Sequence, residues 1–204
     1  MTRSVALELV RSGYLVRSVR VVPLVVGAVA VATLWAHPSG VADVTGPLRV
    51  VGLVLALAGG FVLDDAAAIT LQASPYSLAR RLWLRIGCAA AVIGPLWGIA
   101  LVRLLSHAPA SQRATLGLGL TVELAAALAV VWAAAAWCRR RGVHEPGIAT
   151  APVLLGLIFV GAAQDTVPML VGPGANWLIA HLRWTAVLTC ALACLVYATR
   201  DPAL

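Results

Sequence analysis

No lysine occurs among the 204 residues; all fifteen basic side chains are arginine. That absence removes several chemistries at once. A phosphate-binding loop needs its Lys, a Schiff-base enzyme needs a Lys amine, and a protein kinase needs the Lys of its third strand. If nucleotide energy drives this protein, another chain must bind the nucleotide. Charge is scarce as well: 11% of the residues are charged, against about a quarter in a soluble domain. No Gly-x-Ser-x-Gly and no His-Glu-x-x-His occurs, so hydrolase readings lack a nucleophile or a metal signature. The sequence is instead 61% apolar with a mean hydropathy of +0.94. A water-soluble globular protein cannot be made from this composition. A disordered or collagen-like chain is excluded too, despite 18 Gly and 11 Pro.

Six apolar runs, each near the ~20 residues that cross a bilayer, account for most of the length. They predict an all-α, polytopic membrane protein with helices at about 21–36, 48–63, 82–105, 114–138, 148–164 and 177–199. Residues 1–20 read as an amphipathic helix lying in the interface. Val5, Leu9, Val16 and Val19 share a face, and Arg3, Arg11 and Arg17 lie mostly opposite. A cleaved signal peptide is the competing reading. It fits poorly, because the basic region is long and Leu34-Trp35-Ala36 is a poor cleavage site. Residues 21–204 then form one six-span domain.

Orientation follows from the arginines. With the N-terminus inside, eleven lie on the cytoplasmic side and only Arg49, Arg103, Arg113 and Arg183 outside. Both termini are therefore expected in the cytoplasm. Trp35 and Trp177 fall at outer edges, Trp83 and Trp137 at inner ones. The isoelectric point of about 10.3 is explained by Arg-rich cytoplasmic loops, so the expected partners include membrane lipids and no nucleic acid. The absence of Lys, whose codons are AT-rich, suggests a GC-rich bacterial source and hence a bacterial inner membrane. Cys88, Cys138, Cys190 and Cys194 suggest neither disulfides nor a metal site, and read as small packing residues.

The connection between the second and third spans is too polar at its ends to cross the bilayer and too apolar for a solvated loop. Ser74-Pro75 resembles a helix start, with Ser as cap and Pro in the first turn. Arg80 and Arg81 would close that short helix, where cations suit the dipole. A helix at about 74–83 carrying Tyr76, Ser77 and Leu78 has the make-up of a docking element; an ordinary interfacial turn is the alternative.

Six spans, an amphipathic N-terminal helix and the Ser74-Pro75-Tyr76-Ser77-Leu78-Ala79-Arg80-Arg81 segment together resemble the membrane (permease) subunit of a type-2 ATP-binding-cassette exporter. The resemblance covers nearly the whole chain and is architectural. It implies that 1–20 is a connecting helix, that 74–83 is a coupling helix seated in a separate ATPase, and that 166–177 forms an outer re-entrant element. It also implies a second permease half, identical or related. No cofactor is expected in this chain itself; ATP and Mg²⁺ would belong to the ATPase.

Glu123 lies about mid-membrane in the fourth run. A carboxylate there costs roughly 2.5–3.5 kcal/mol on insertion scales, so it should face the protein interior, be paired or be protonated. It is either a group on a substrate path or proton relay, or a hydrogen-bonded link between helices. Arg103, Asp165, His181 and Arg183 sit near outer helix ends and form either an outer gate or separate charges at headgroup level. Asp64-Asp65 read as a helix terminus or as partners of Arg80, Arg81 or Arg85. Gly52, Gly59, Gly156 and Gly161 are expected where helices approach closely. No catalytic or metal-ligating set is expected, so the chain is read as a non-enzyme. The expected function is export of a lipophilic molecule. A non-transporting accessory or scaffold subunit and a proton-coupled carrier using Glu123 are the alternatives.

Overall fold

The computed structural model describes residues 21–36, 45–64, 78–143, 145–163, 170 and 176–200. The expected N-terminal amphipathic helix and Ser74 to Ser77 of the coupling segment lie outside them, as do Asp165 and most of 166–177. The described residues form six helices and no strand. In chain order they are α1 (Val21–Ala36), α2 (Thr45–Phe61), α3 (Leu78–Leu105), α4 (Ala110–Arg140), α5 (Pro146–Ala163) and α6 (Trp177–Thr199).

Three stretches, Leu82–Arg103, Ala110–Arg140 and Trp177–Thr199, are long and apolar enough to cross a membrane; α1, α2 and the apolar part of α5 are shorter. All six expected helices are present within a few residues of their predicted limits. One boundary differs in kind. Residues 78–83 are not the end of a separate short helix but the first turns of the 28-residue α3. Nothing interrupts the run there, and Leu82, Ile86, Ala89 and Ile93 continue a single buried face. Pro95 and Pro152 lie inside α3 and α5, a placement that membrane helices tolerate because neighbours re-satisfy the freed carbonyls.

Helix α4 is the hub, packed against α2, α3, α5 and α6. Its sequence explains both its length and its position. Alanine is the best helix former, and a helix apolar all round must be covered on several sides. Ala126, Ala127, Ala129, Ala133, Ala135 and Ala136 are buried and let neighbours come close.

Helices approach closely where α2 crosses α4 and α5. A Cβ on Gly60 would lie 2.6 Å from both Thr150 Oγ1 and Val131 Cγ1, and one on Gly59 would lie 2.8 Å from Leu128 Cδ2. Trp132 Nε1 donates to the Gly59 carbonyl at 3.2 Å, a contact that glycine's bare backbone permits. Two expected packing glycines behave differently. Gly52 makes only ordinary contact with Trp97, and Gly156 faces open space. Helix α5 shows its packed face through Leu154 and Thr150, and Gly156 falls away from it.

Candidate functional site

Two buried polar nodes tie the helices together, one toward each end of the bundle. The first joins α2, α4 and α6. Arg49, the fifth residue of α2, donates through Nε and Nη2 to the two carboxylate oxygens of Glu123 on α4, both at 2.7 Å. His181, the fifth residue of α6, brings Nε2 to 3.1 Å from Glu123 Oε1. The side chains of Arg49, Glu123 and His181 are 15%, 8% and 10% exposed, so the ion pair is screened from solvent.

His181 is held by its own helix. Its Nδ1 lies 2.7 Å from the Trp177 carbonyl oxygen, one turn back, and its ring packs against the Trp177 indole at 4.0 Å between centroids. A carbonyl can only accept, so Nδ1 carries a proton. The contact with Glu123 is then an ion pair when Nε2 is protonated as well. Nε2 lies within ion-pair distance but off the line of a well-formed hydrogen bond. Gly119, one turn before Glu123, makes room for this arrangement. A Cβ there would stand 2.5 Å from Trp177 Cζ2 and 2.6 Å from His181 Nε2.

Register follows from the triad. Glu123 is the fourteenth residue of α4, whereas Arg49 and His181 are each the fifth of their helices. Helix α4 therefore projects beyond the starts of α2 and α6 by about two and a half turns, or ~14 Å at 1.5 Å per residue. Consistently, every residue from 109 to 115 is exposed. A cavity of about 30 Å³ lies beside the ion pair, lined by Arg49, Glu123, Gly52, Trp97 and Trp184 among others. That is room for about two water molecules and not for a larger organic molecule. In this conformation the triad acts as a bolt between three helices.

The second node gathers the end of α2 with the starts of α3 and α5. Asp64 Oδ1 accepts the Gly147 backbone N–H at 2.6 Å, and the Asp64 carbonyl accepts Arg85 Nη1 at 2.8 Å. Asp64 and Arg85 are each 1% exposed. Pro146 occupies the first position of α5, where a missing N–H costs nothing. The Asp64 carboxylate then satisfies the next donor and sits against the positive end of the helix dipole. Gly147 has to be glycine here: a Cβ would stand 2.8 Å from Asp64 Oδ2 and 2.9 Å from Phe61 Cδ1. Thr150 Oγ1 closes the turn by donating to the Gly147 carbonyl at 2.7 Å.

Of the expected outer gate, Asp165 lies outside the described residues, and the other three have the following places. His181 turns to Glu123, while Arg103 Nη1 meets His107 Nε2 at 3.0 Å, one turn on. Arg183 is half-buried on α6. The α3–α4 turn is stitched by Arg113, which donates from Nη2 to the Ser106 carbonyl and from Nε to the Ala108 carbonyl, at 3.1 and 3.0 Å. Of the coupling residues, Leu78 opens α3, Arg80 is half-buried in its first turn, and Arg81 belongs to the same turn.

Sequence reasoning singled out Glu123 but missed Arg49 as its partner. The available signal was an arginine at the very start of an apolar run. It also missed Gly147, whose signal was the Glu145-Pro146-Gly147 helix start. Among the described residues no group of three or more His, Cys, Asp or Glu is placed to hold a metal ion, and the four cysteines are free, with Cys190 and Cys194 exposed. Set against protein-family models, curated proteins and solved structures, the chain matches none of them.

Proposed function

We propose that the chain is the permease half of a cassette exporter in a bacterial inner membrane. All six helices would span, with both termini inside. The chain would work with a second half, identical or related, and with separate ATPase subunits that hold ATP and Mg²⁺. The observation that supports this reading most directly is the Asp64 node. Residues 65–77 connect Asp64, just past the end of α2, to Leu78, the first residue of α3. Asp64 is bonded to α5 through Gly147 and to α3 through Arg85. A push on the 74–83 region would thus reach three helices through short, buried contacts rather than through a slack loop. The absence of Lys supports an engine housed in another chain. A lipophilic substrate suits the apolar composition.

Affinity purification of the tagged chain from its own cells tests the reading. The expected result is recovery of a cassette ATPase, with Tyr76→Asp or Leu78→Asp abolishing that recovery while the chain still inserts in the membrane. Recovery of no ATPase, together with full function of both variants, would overturn the proposal and favour an accessory or scaffold subunit.

The contact between His181 Nε2 and Glu123 Oε1 favours one second reading, a proton-coupled carrier. Transport that persists in Glu123→Gln without a proton gradient removes it.

A further inference from the structure

Helices α4 and α6 end side by side in a stack of aromatic rings and guanidinium groups. The rings of Trp137 and Tyr197 lie 6.2 Å apart at 29°. The Arg140 guanidinium carbon sits 5.1 Å over the Tyr197 ring, and that of Arg141 sits 5.4 Å over the Trp137 ring. All four side chains are exposed.

The sequence builds this stack locally. Trp137 and Arg141 are four apart and share a helix face. Gly142, at φ +83°, takes the left-handed conformation that stops α4 just after the Arg139–Arg140–Arg141 run. Its N–H bonds to the Arg139 carbonyl, and the Val143 N–H to the Cys138 carbonyl. Arg140 reaches across to α6 and donates from Nη1 to the Tyr197 carbonyl at 3.0 Å.

A guanidinium that stacks by its face keeps its N–H edges available to an anion. Arg140 spends one donor on Tyr197, and the Arg141 guanidinium makes no hydrogen bond to a described residue. Among the described residues at this end, basic side chains outnumber acidic ones. Arg139, Arg140, Arg141 and Arg200 gather around two helix C-termini, each equivalent to about −0.5 charge, with Glu145 in the connection that follows. Exposed Ala193 and Cys190, one and two turns before Tyr197, share its face of α6 and lead toward the middle of an apolar, membrane-length helix, with exposed Leu192 and Val196 beside them. Polar edges above an apolar track match an amphiphile with an anionic head, and Trp and Tyr are the side chains that settle at headgroup depth.

We propose that the Trp137–Tyr197–Arg140–Arg141 stack binds the phosphate headgroup of an anionic phospholipid, with Arg141 and Arg140 donating to its oxygens and the acyl chain running along the exposed face of α6 that carries Ala193 and Cys190. The proposal does not depend on the exporter reading.

Native mass spectrometry of the purified full chain, incubated with equal amounts of phosphatidylglycerol and phosphatidylcholine, tests it. Wild type retains phosphatidylglycerol preferentially. Arg141→Gln lowers that retention by about fivefold, and Arg140→Gln/Arg141→Gln lowers it further by a similar factor. Arg113→Gln, which removes the same charge at the other end of α4, leaves retention unchanged. Millimolar inorganic phosphate does not displace the lipid. Equal retention by Arg141→Gln and wild type overturns the proposal, as does equal retention of the two lipids. Displacement by inorganic phosphate overturns it in favour of a soluble phosphate ligand. Arg141→Gln decides the matter even if the double variant does not fold, since that guanidinium holds no described residue by a hydrogen bond.

Discussion

Arg49 and Glu123, 74 positions apart, meet through two parallel 2.7 Å hydrogen bonds between the first turn of α2 and the middle of α4. The bidentate geometry uses both carboxylate oxygens and fixes the longitudinal register of the two helices, which apolar packing alone leaves free to slip. His181 adds α6 to the same register from one turn inside its own start. A bundle whose helices are registered at one end by one ion pair should respond to its loss as a unit.

Removing both partners is therefore expected to cost less than the two single losses added together. Arg49→Leu leaves Glu123 buried without its partner and should cost about 3 kcal/mol or more. Arg49→Leu/Glu123→Leu should cost clearly less than the sum of the single changes. Thermal melts in one fixed detergent, arranged as a double-mutant cycle, measure the coupling. Strict additivity would show that the pair contributes no register energy.

Gly119 allows a sharper test of the triad. Alanine there cannot be accommodated without moving Trp177 or His181, so Gly119→Ala should destabilise by about 1–3 kcal/mol. In a His181→Ala background the same change should cost less, because one of the two obstructing rings is gone. Equal costs in the two backgrounds would place the collision entirely on Trp177.

The helices were legible in the sequence and their pairings were not. Apolar runs bounded by His37-Pro38, by Asp64 and by Pro146-Gly147 announce where the chain is helical, because in apolar surroundings backbone groups must be satisfied within the helix. Glu123 stood out for the same reason. Its partner did not, because Arg49 is near only once α2 and α4 are set in register, and register is a tertiary fact. The start of α3 misled in another way. Ser74-Pro75 reads as a local helix start, but the unbroken face from Leu82 to Ile93 extends the long helix back to Leu78. Gly59 and Gly156 look equivalent in sequence, yet only the first faces a neighbour.

Asp64 is expected to act through its carboxylate on α5. Asp64→Ala removes the acceptor for the Gly147 N–H and should cost about 1 kcal/mol, as loss of a helix cap does. Arg85 keeps its bond, which goes to the backbone carbonyl. The loss should therefore show as faster amide exchange confined to the first turn of α5. In the exporter reading the same variant should hydrolyse ATP in its complex and transport less per ATP. Unchanged exchange at Gly147 would remove both expectations.

The two glycines Gly60 and Gly156 should respond to alanine in opposite directions. Gly60 is buried where Thr150 and Val131 leave no space, so Gly60→Ala should destabilise by about 1–3 kcal/mol. Gly156 is exposed in mid-helix with nothing near its missing side chain, so Gly156→Ala should stabilise α5 by up to about 1 kcal/mol through helix propensity. Paired melts of the two variants give the sign directly. A Gly156→Ala protein that melts higher yet loses oligomers on a sizing column would mean that this bare position on α5 packs against a second chain. A protein that keeps its assembly state would leave that face of α5 to lipid.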